Sequence, residues 1–140
     1  MFKAPESPHL AASLEQKSIT KIAIPDTQNL IIEGAGGLLV PLNKETLMID
    51  WIQDLPVILV ARTTLGTINH TLLSLEALRS RHIKVLGIIM NGIPNPENSQ
   101  AIEFYGRTKI LAQIPFMDRV NREKLSQIPL TKKLTSTFGK

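Results

Sequence analysis

Apolar residues enter this chain in two rhythms. Short unbroken runs around Leu30–Ile32, Val57–Ala61, Val85–Met90 and Ile110–Ile114 alternate with stretches where apolar positions recur every three or four residues. Unbroken runs flanked by turn formers predict strands buried on both faces, as in a parallel sheet sandwiched between helices. They place strands over Asn29–Glu33, Pro56–Ala61, Lys84–Met90 and Ile110–Ile114, the last stopped by Pro115. The helical rhythm predicts a helix after an Asn43 N-cap, with Met48, Trp51, Ile52 and Leu55 on its apolar face. A second, capped by Thr67, runs to about Arg81 with Ile68, Leu72, Leu75 and Leu78 on one face. A third runs from an Asn95 cap and Pro96 at its first position to near Gly106. The first 20 residues read as irregular apart from a short helix through Leu10–Leu14. One more short helix is expected around Arg122–Gln127, before a frayed basic tail over about 129–140. The order β-α-β-α-β-α-β with short loops predicts an α/β fold, a doubly wound parallel sheet with right-handed crossovers in a single domain spanning residues 1–140.

Composition narrows the class. The chain is 43% hydrophobic and 20% charged, enough apolar material for a core. It has no cysteine, which removes disulfides and thiolate metal sites. No run approaches the ~18 apolar residues of a membrane span, and Met1-Phe2-Lys3-Ala4-Pro5 lacks the apolar stretch of a secretory leader, so no membrane and a cytoplasmic address are expected. The net charge of +4 is unevenly placed: residues 1–100 carry net −1 and residues 101–140 net +5. That excess belongs to the C-terminal end, with Lys132, Lys133 and Lys140 on a solvated tail that reads as a solubility feature, so nucleic acid is not expected as a partner.

Candidate chemistry sits at the ends of the predicted strands, where open parallel sheets hold their ligands. Glu33 closes an apolar run and is followed by Gly34-Ala35-Gly36-Gly37. A carboxylate there reaches a hard cation such as Mg²⁺, or else points into water at the sheet edge. The glycines let the main chain approach a phosphate or substrate, but they are not a dinucleotide fingerprint, because Leu39 stands at the sixth position. No G-x-x-x-x-G-K-[ST] loop occurs in these residues. Gly66-Thr67-Ile68-Asn69-His70 opens a helix whose free amides suit a carboxylate or phosphate, or which is merely capped; His70 reads as a solvated first-turn residue. Asn91, at the end of the third strand, offers the donor and acceptor that an adenine edge needs, or simply forms a turn with Gly92.

Taken together, Ser7-Pro8-His9, Ile32–Gly37 with Val40-Pro41, Leu65–Leu73, the Gly87–Asn91 strand end and Ile114-Pro115-Phe116 resemble the dethiobiotin synthase family, in register from about Ser7 to Ile128. The resemblance implies a sheet of the P-loop NTPase type. It also implies ATP- and Mg²⁺-dependent closure of the ureido ring of dethiobiotin from 7,8-diaminononanoate and CO₂. By that likeness Glu33 is a Mg²⁺ ligand, and Gly34, Ala35 and Gly36 line the nucleotide. Asn91 and Gly92 meet the adenine, with Pro115, Phe116 and Met117 as its other wall. Ser7 and the helix start at Gly66, Thr67, Ile68 and Asn69 hold the diamine, with an aromatic from Phe104 or Tyr105. The family implies a homodimer. It also opens with a strand, a Walker-type loop and catalytic lysines that have no counterpart in this sequence, so the expected fold is incomplete and the chain inactive without an N-terminal partner fragment. The alternative is a non-catalytic remnant that dimerises with, or regulates, an intact synthase. A fragment of a partition-type ATPase fits less well, because of the Asn69-His70 helix start.

Overall fold

The computed structural model describes residues 2–20, 22–27, 29–52 and 54–138. They form two compact units, residues 1–53 and 54–140.

The first unit is mostly irregular. Helix α1 (Pro8–Leu14) begins where Pro8 presets the first helical φ, and it buries Ala11 and Ala12. Helix α2 (Met48–Trp51) is a single turn that buries Met48 and Ile49. Between them, where a strand is expected over Asn29–Glu33, residues 29–33 are irregular and exposed, with Ile31 91% accessible. Their amides and carbonyls make no backbone hydrogen bond among the described residues. An apolar run becomes a strand only when a neighbour completes its ladder, and none does so among the described residues. The expected helix after Asn43 is also shortened. The Asn43 Oδ1 accepts from the amides of Glu45 and Thr46, both at 2.9 Å, and closes a tight turn. Pro41 and Leu47 bridge across that turn, with the Leu42 amide donating to Thr46 at 2.8 Å. The side-chain chemistry that caps a helix also closes an Asx turn, and here the turn wins. Asn43 Nδ2 and Trp51 Nε1 donate to the carbonyls of Ile19 and Ile22 at 2.8 and 3.1 Å, fastening the irregular strand of chain before the glycines.

The second unit is the α/β part. Strands β1 (Val57–Arg62), β2 (Val85–Asn91) and β3 (Ile110–Ile114) form a parallel sheet in the order β1-β2-β3. Helices α3 (Thr67–Ser80) and α4 (Pro96–Gly106) make the crossovers. Moving one way across a sheet, right-handed crossovers put successive helices on the same face, and α3 and α4 do pack together. The core lies beneath them: Ala61, Leu75, Ile88, Met90 and Ile102, flanked by Leu59, Ile68, Leu72, Val85 and Ile110. Each fully buried Leu, Ile or Met there contributes about 1.5–3 kcal/mol.

Glycine decides how close two of these elements come. A Cβ on Gly106 would lie 2.8 Å from Leu75 Cδ1 and 3.3 Å from Leu72 Cδ2. Leu75 is fully buried and has no room to retreat. Gly106→Ala is therefore expected to lower stability by about 1–2 kcal/mol, read as a shift in the urea midpoint. An unchanged midpoint would show that the helix pair has slack.

After β3 the chain forms α5 (Arg122–Ser126) and α6 (Lys132–Thr137). The second stands where a frayed tail is expected. Thr131 Oγ1 accepts from the Leu134 amide at 3.1 Å and itself donates to the Leu111 carbonyl of β3, so one hydroxyl both starts the helix and seats it on the sheet. Lys140, counted with that tail, lies outside the described residues.

Candidate functional site

The register sets Arg62, Asn91 and Ile114 side by side, so all three strands end flush. Beyond those ends opens a cleft of about 610 Å³. One wall is Asn91, Gly92 and the turn to Asn95, and the other is Pro115, Phe116 and Met117 with Val120. Arg62, Thr63 and Thr64 form the side toward β1. Asn91 is exposed, leaving its amide open to a ligand's donors and acceptors. Gly92 adopts φ +135, and a Cβ there would lie 2.5 Å from Thr63 Oγ1. Thr63 is 8% accessible, so the tight Asn91-Gly92 turn rests directly on the end of β1. Asn95 caps α4 by accepting from the Asn98 amide at 2.9 Å, which fixes the far end of that wall.

The loop after Met117 is tethered at the surface. Lys124 hydrogen-bonds Asp118 and, with the Arg119 amide, holds that carboxyl below the usual carboxylate range. A lowered pKa means the tether is intact at neutral pH and weakens as pH falls through that lowered value.

A second cleft, of about 420 Å³, lies at the start of α3 and is lined by Leu65, Gly66, Thr67, Ile68, Asn69, Leu72 and Asn98. Gly66, at φ +89, is the N-cap. Thr67, expected as the cap, instead turns its hydroxyl back to donate to the Arg62 carbonyl. The Ile68 and Asn69 amides make no backbone bond among the described residues, leaving two donors at a helix start whose residues line this cleft. His70 is exposed on the first turn. Phe104 and Tyr105, on α4, stack edge to face at 5.0 Å and are both exposed.

The remaining expected site residues belong to the first unit. Ser7 precedes α1, with its Oγ 3.1 Å from His9 Nδ1. Glu33, Gly34, Ala35 and Gly36 are all exposed. Gly36 has φ +90, and a Cβ there would press on Val40 at 3.0 Å, which is why the turn needs glycine. Among the described residues no three acids or histidines gather as a metal cage. A lone exposed carboxylate still fits Mg²⁺, which takes one or two protein carboxylates and completes its shell with phosphate oxygens and water.

The sequence reading thus names Asn91, Gly92 and Pro115–Met117 in the first cleft and Gly66–Asn69 in the second. It misses Arg62, Thr63, Thr64, Ile93, Pro94, Asn95 and Val120 in the first and Leu65, Leu72 and Asn98 in the second. The available signal was positional: Arg62-Thr63-Thr64 follows an apolar strand, at the height where the other strand ends carry the site.

A family model described as an AAA domain matches residues 1–124. The ATP-dependent dethiobiotin synthetase of Lawsonia intracellularis is 54% identical over 98% of this chain and 70% of its own length. The dethiobiotin synthetase of Paramagnetospirillum magneticum is 46% identical over 92% of this chain and 65% of its own length. The biotin biosynthesis bifunctional protein of Bordetella avium is 49% identical over 97% of this chain, which spans 31% of that longer protein. With an open parallel sheet, a cleft at its strand ends and this degree of identity along nearly all its length, the chain belongs to the dethiobiotin synthetase family.

Proposed function

We propose that this chain supplies the purine-binding and carboxylate-binding parts of an ATP-dependent synthetase that closes 7,8-diaminononanoate and CO₂ into dethiobiotin. One observation carries the reading: Asn91-Gly92 and Pro115-Phe116-Met117 face each other across a single cleft at the strand ends. The Asn91 amide reads the base edge, and the apolar wall at Phe116 and Met117 covers its face. The Ile68 and Asn69 amides hold the substrate carboxylate, orienting the diamine before any bond forms. Ser7 assists at the diamine, and Gly34, Ala35 and Gly36 allow close approach to the nucleotide. Glu33 would hold Mg²⁺, whose charge neutralises the ATP phosphates. Apolar side chains left exposed on the α3–α4 pair, including Leu73, Phe104 and Tyr105, suit a second copy of the chain, so the working form is a homodimer.

These 140 residues contain no G-x-x-x-x-G-K-[ST] loop, and phosphoryl transfer draws most of its charge stabilisation from such a loop, its Lys and the metal. On this reading the loop lies on a segment outside these 140 residues. The test is dethiobiotin formation from ATP, bicarbonate and 7,8-diaminononanoate. The 140-residue polypeptide alone is expected to give none. Mixed with the part of the Lawsonia synthetase that it does not cover, it is expected to turn over. Product from the polypeptide alone would overturn the division of labour. No product from the mixture, together with capture of an intact synthetase, would favour the non-catalytic partner instead.

A further inference from the structure

Gln113 stands on β3, two residues before the cleft wall and outside the cleft lining. Its side-chain Nε2 donates to the Gly92 carbonyl at 3.0 Å and to the Ile114 carbonyl at 3.1 Å. The Gly92 amide donates to the same Ile114 carbonyl at 2.9 Å. Two of these hydrogen bonds knot Gly92, at the tip of β2, to the tip of β3, and the third braces the shared Ile114 carbonyl, where the chain departs into the two opposite walls of the cleft. Both Gln113 acceptors are carbonyls, to which only the Nε2 end of its amide can donate, so the amide orientation is fixed by its surroundings. Gln113 is partly buried, so its bonds are shielded from competing water.

We propose that Gln113 is a positioning residue that sets the separation of the two cleft walls and thereby the selectivity of the cleft for one purine base. This rests on the adenine reading of that cleft. Without the knot, Gly92 keeps its strand bond to Ile114 but loses the brace on its carbonyl. The Asn91 amide then no longer meets the base edge at a fixed distance from Phe116. Shape is kept when Gln113 becomes methionine, which has similar length and no donor.

The experiment measures ATP and GTP affinities of the full 140-residue chain, wild type and Gln113→Met, by titration followed in amide NMR spectra. The expected wild-type result is ATP bound in preference to GTP. In Gln113→Met, ATP is expected to bind about five- to tenfold more weakly, with GTP nearly unchanged, so the preference collapses. The thermal midpoint separates the alternatives. A lowered midpoint with the ATP-over-GTP ratio intact would make Gln113 a purely structural residue and overturn the proposal. Gln113→Lys, which keeps an N–H donor of sufficient reach, is expected to recover part of the preference. Wild type binding neither nucleotide would overturn the adenine reading itself, and this inference with it. Wild type selective and Gln113→Met equally selective would overturn this inference alone.

Discussion

Gly87→Ala is expected to destabilise the α/β unit by about 3 kcal/mol or more, enough to leave much of the chain unfolded at 37 °C. Gly87 has φ +153, and a Cβ there would lie 2.6 Å from Leu111 Cγ and 2.8 Å from the Lys109 carbonyl. Leu111 is fully buried, and the carbonyl belongs to the main chain beside β3, so neither gives way cheaply. The sheet also shifts register beside this residue, between Val57 and Ile58 against β1 and between Ile88 and Ile89 against β3. Gly87 is where three strands accommodate one another, and a side chain would force them apart. Urea unfolding followed by circular dichroism measures the loss. The double variant Gly87→Ala, Leu111→Ala separates its parts, because it removes the side-chain clash and leaves the carbonyl. Its total loss should be smaller than the sum of the two single losses. A Gly87→Ala chain within about 0.5 kcal/mol of wild type would refute this close approach.

Gly92→Ala is expected to weaken ATP binding at least tenfold while leaving most of the fold intact. Here the new Cβ would stand 2.5 Å from Thr63 Oγ1, and the backbone sits at φ +135, where a Cβ is strained. Relief comes from moving the Asn91-Gly92 turn off the end of β1, which displaces the amide proposed to read the base. Combining Gly92→Ala with Thr63→Ala removes the contact but not the backbone strain, so affinity should recover only in part. Full recovery would assign the effect to the contact alone, and no loss in the single variant would mean that this turn does not form a binding wall.

The three strands of the sheet were legible because each run is apolar and bounded by a turn signal, although the expected burial on both faces does not hold for β1, where Val60 is 67% exposed. Asn29–Glu33 carries an equally apolar run and forms no strand, because hydrophobic pattern reports a wish for burial and says nothing about which backbone will complete the ladder. Asn43 shows the same gap at smaller scale. An Asn before an amphipathic stretch reads as a cap, yet the bridge between Pro41 and Leu47 turns the chain back before a helix can start. Thr67 was one residue from the true cap, since its hydroxyl is drawn to the Arg62 carbonyl at the strand end. In the first cleft, Asn91 could be named from the strand-end rule, whereas Gly92 as a base contact and the Pro115–Met117 wall are implied only by the family resemblance. Thr63 and Thr64 offer only their position after an apolar strand, and two threonines advertise no chemistry until the register sets them level with the other tips.

Trp51 is the chain's one tryptophan and Tyr105 its one tyrosine, and they fall in different units. The indole is bonded to Ile22 in the first, while the phenol stacks on Phe104 in the second. The molecule thus carries its own pair of optical labels. Emission excited at the red edge follows one half alone, and the tyrosine signal follows the other. Denaturation curves at the two wavelengths therefore tell, without any engineered dye, whether the halves melt as one cooperative body or in sequence.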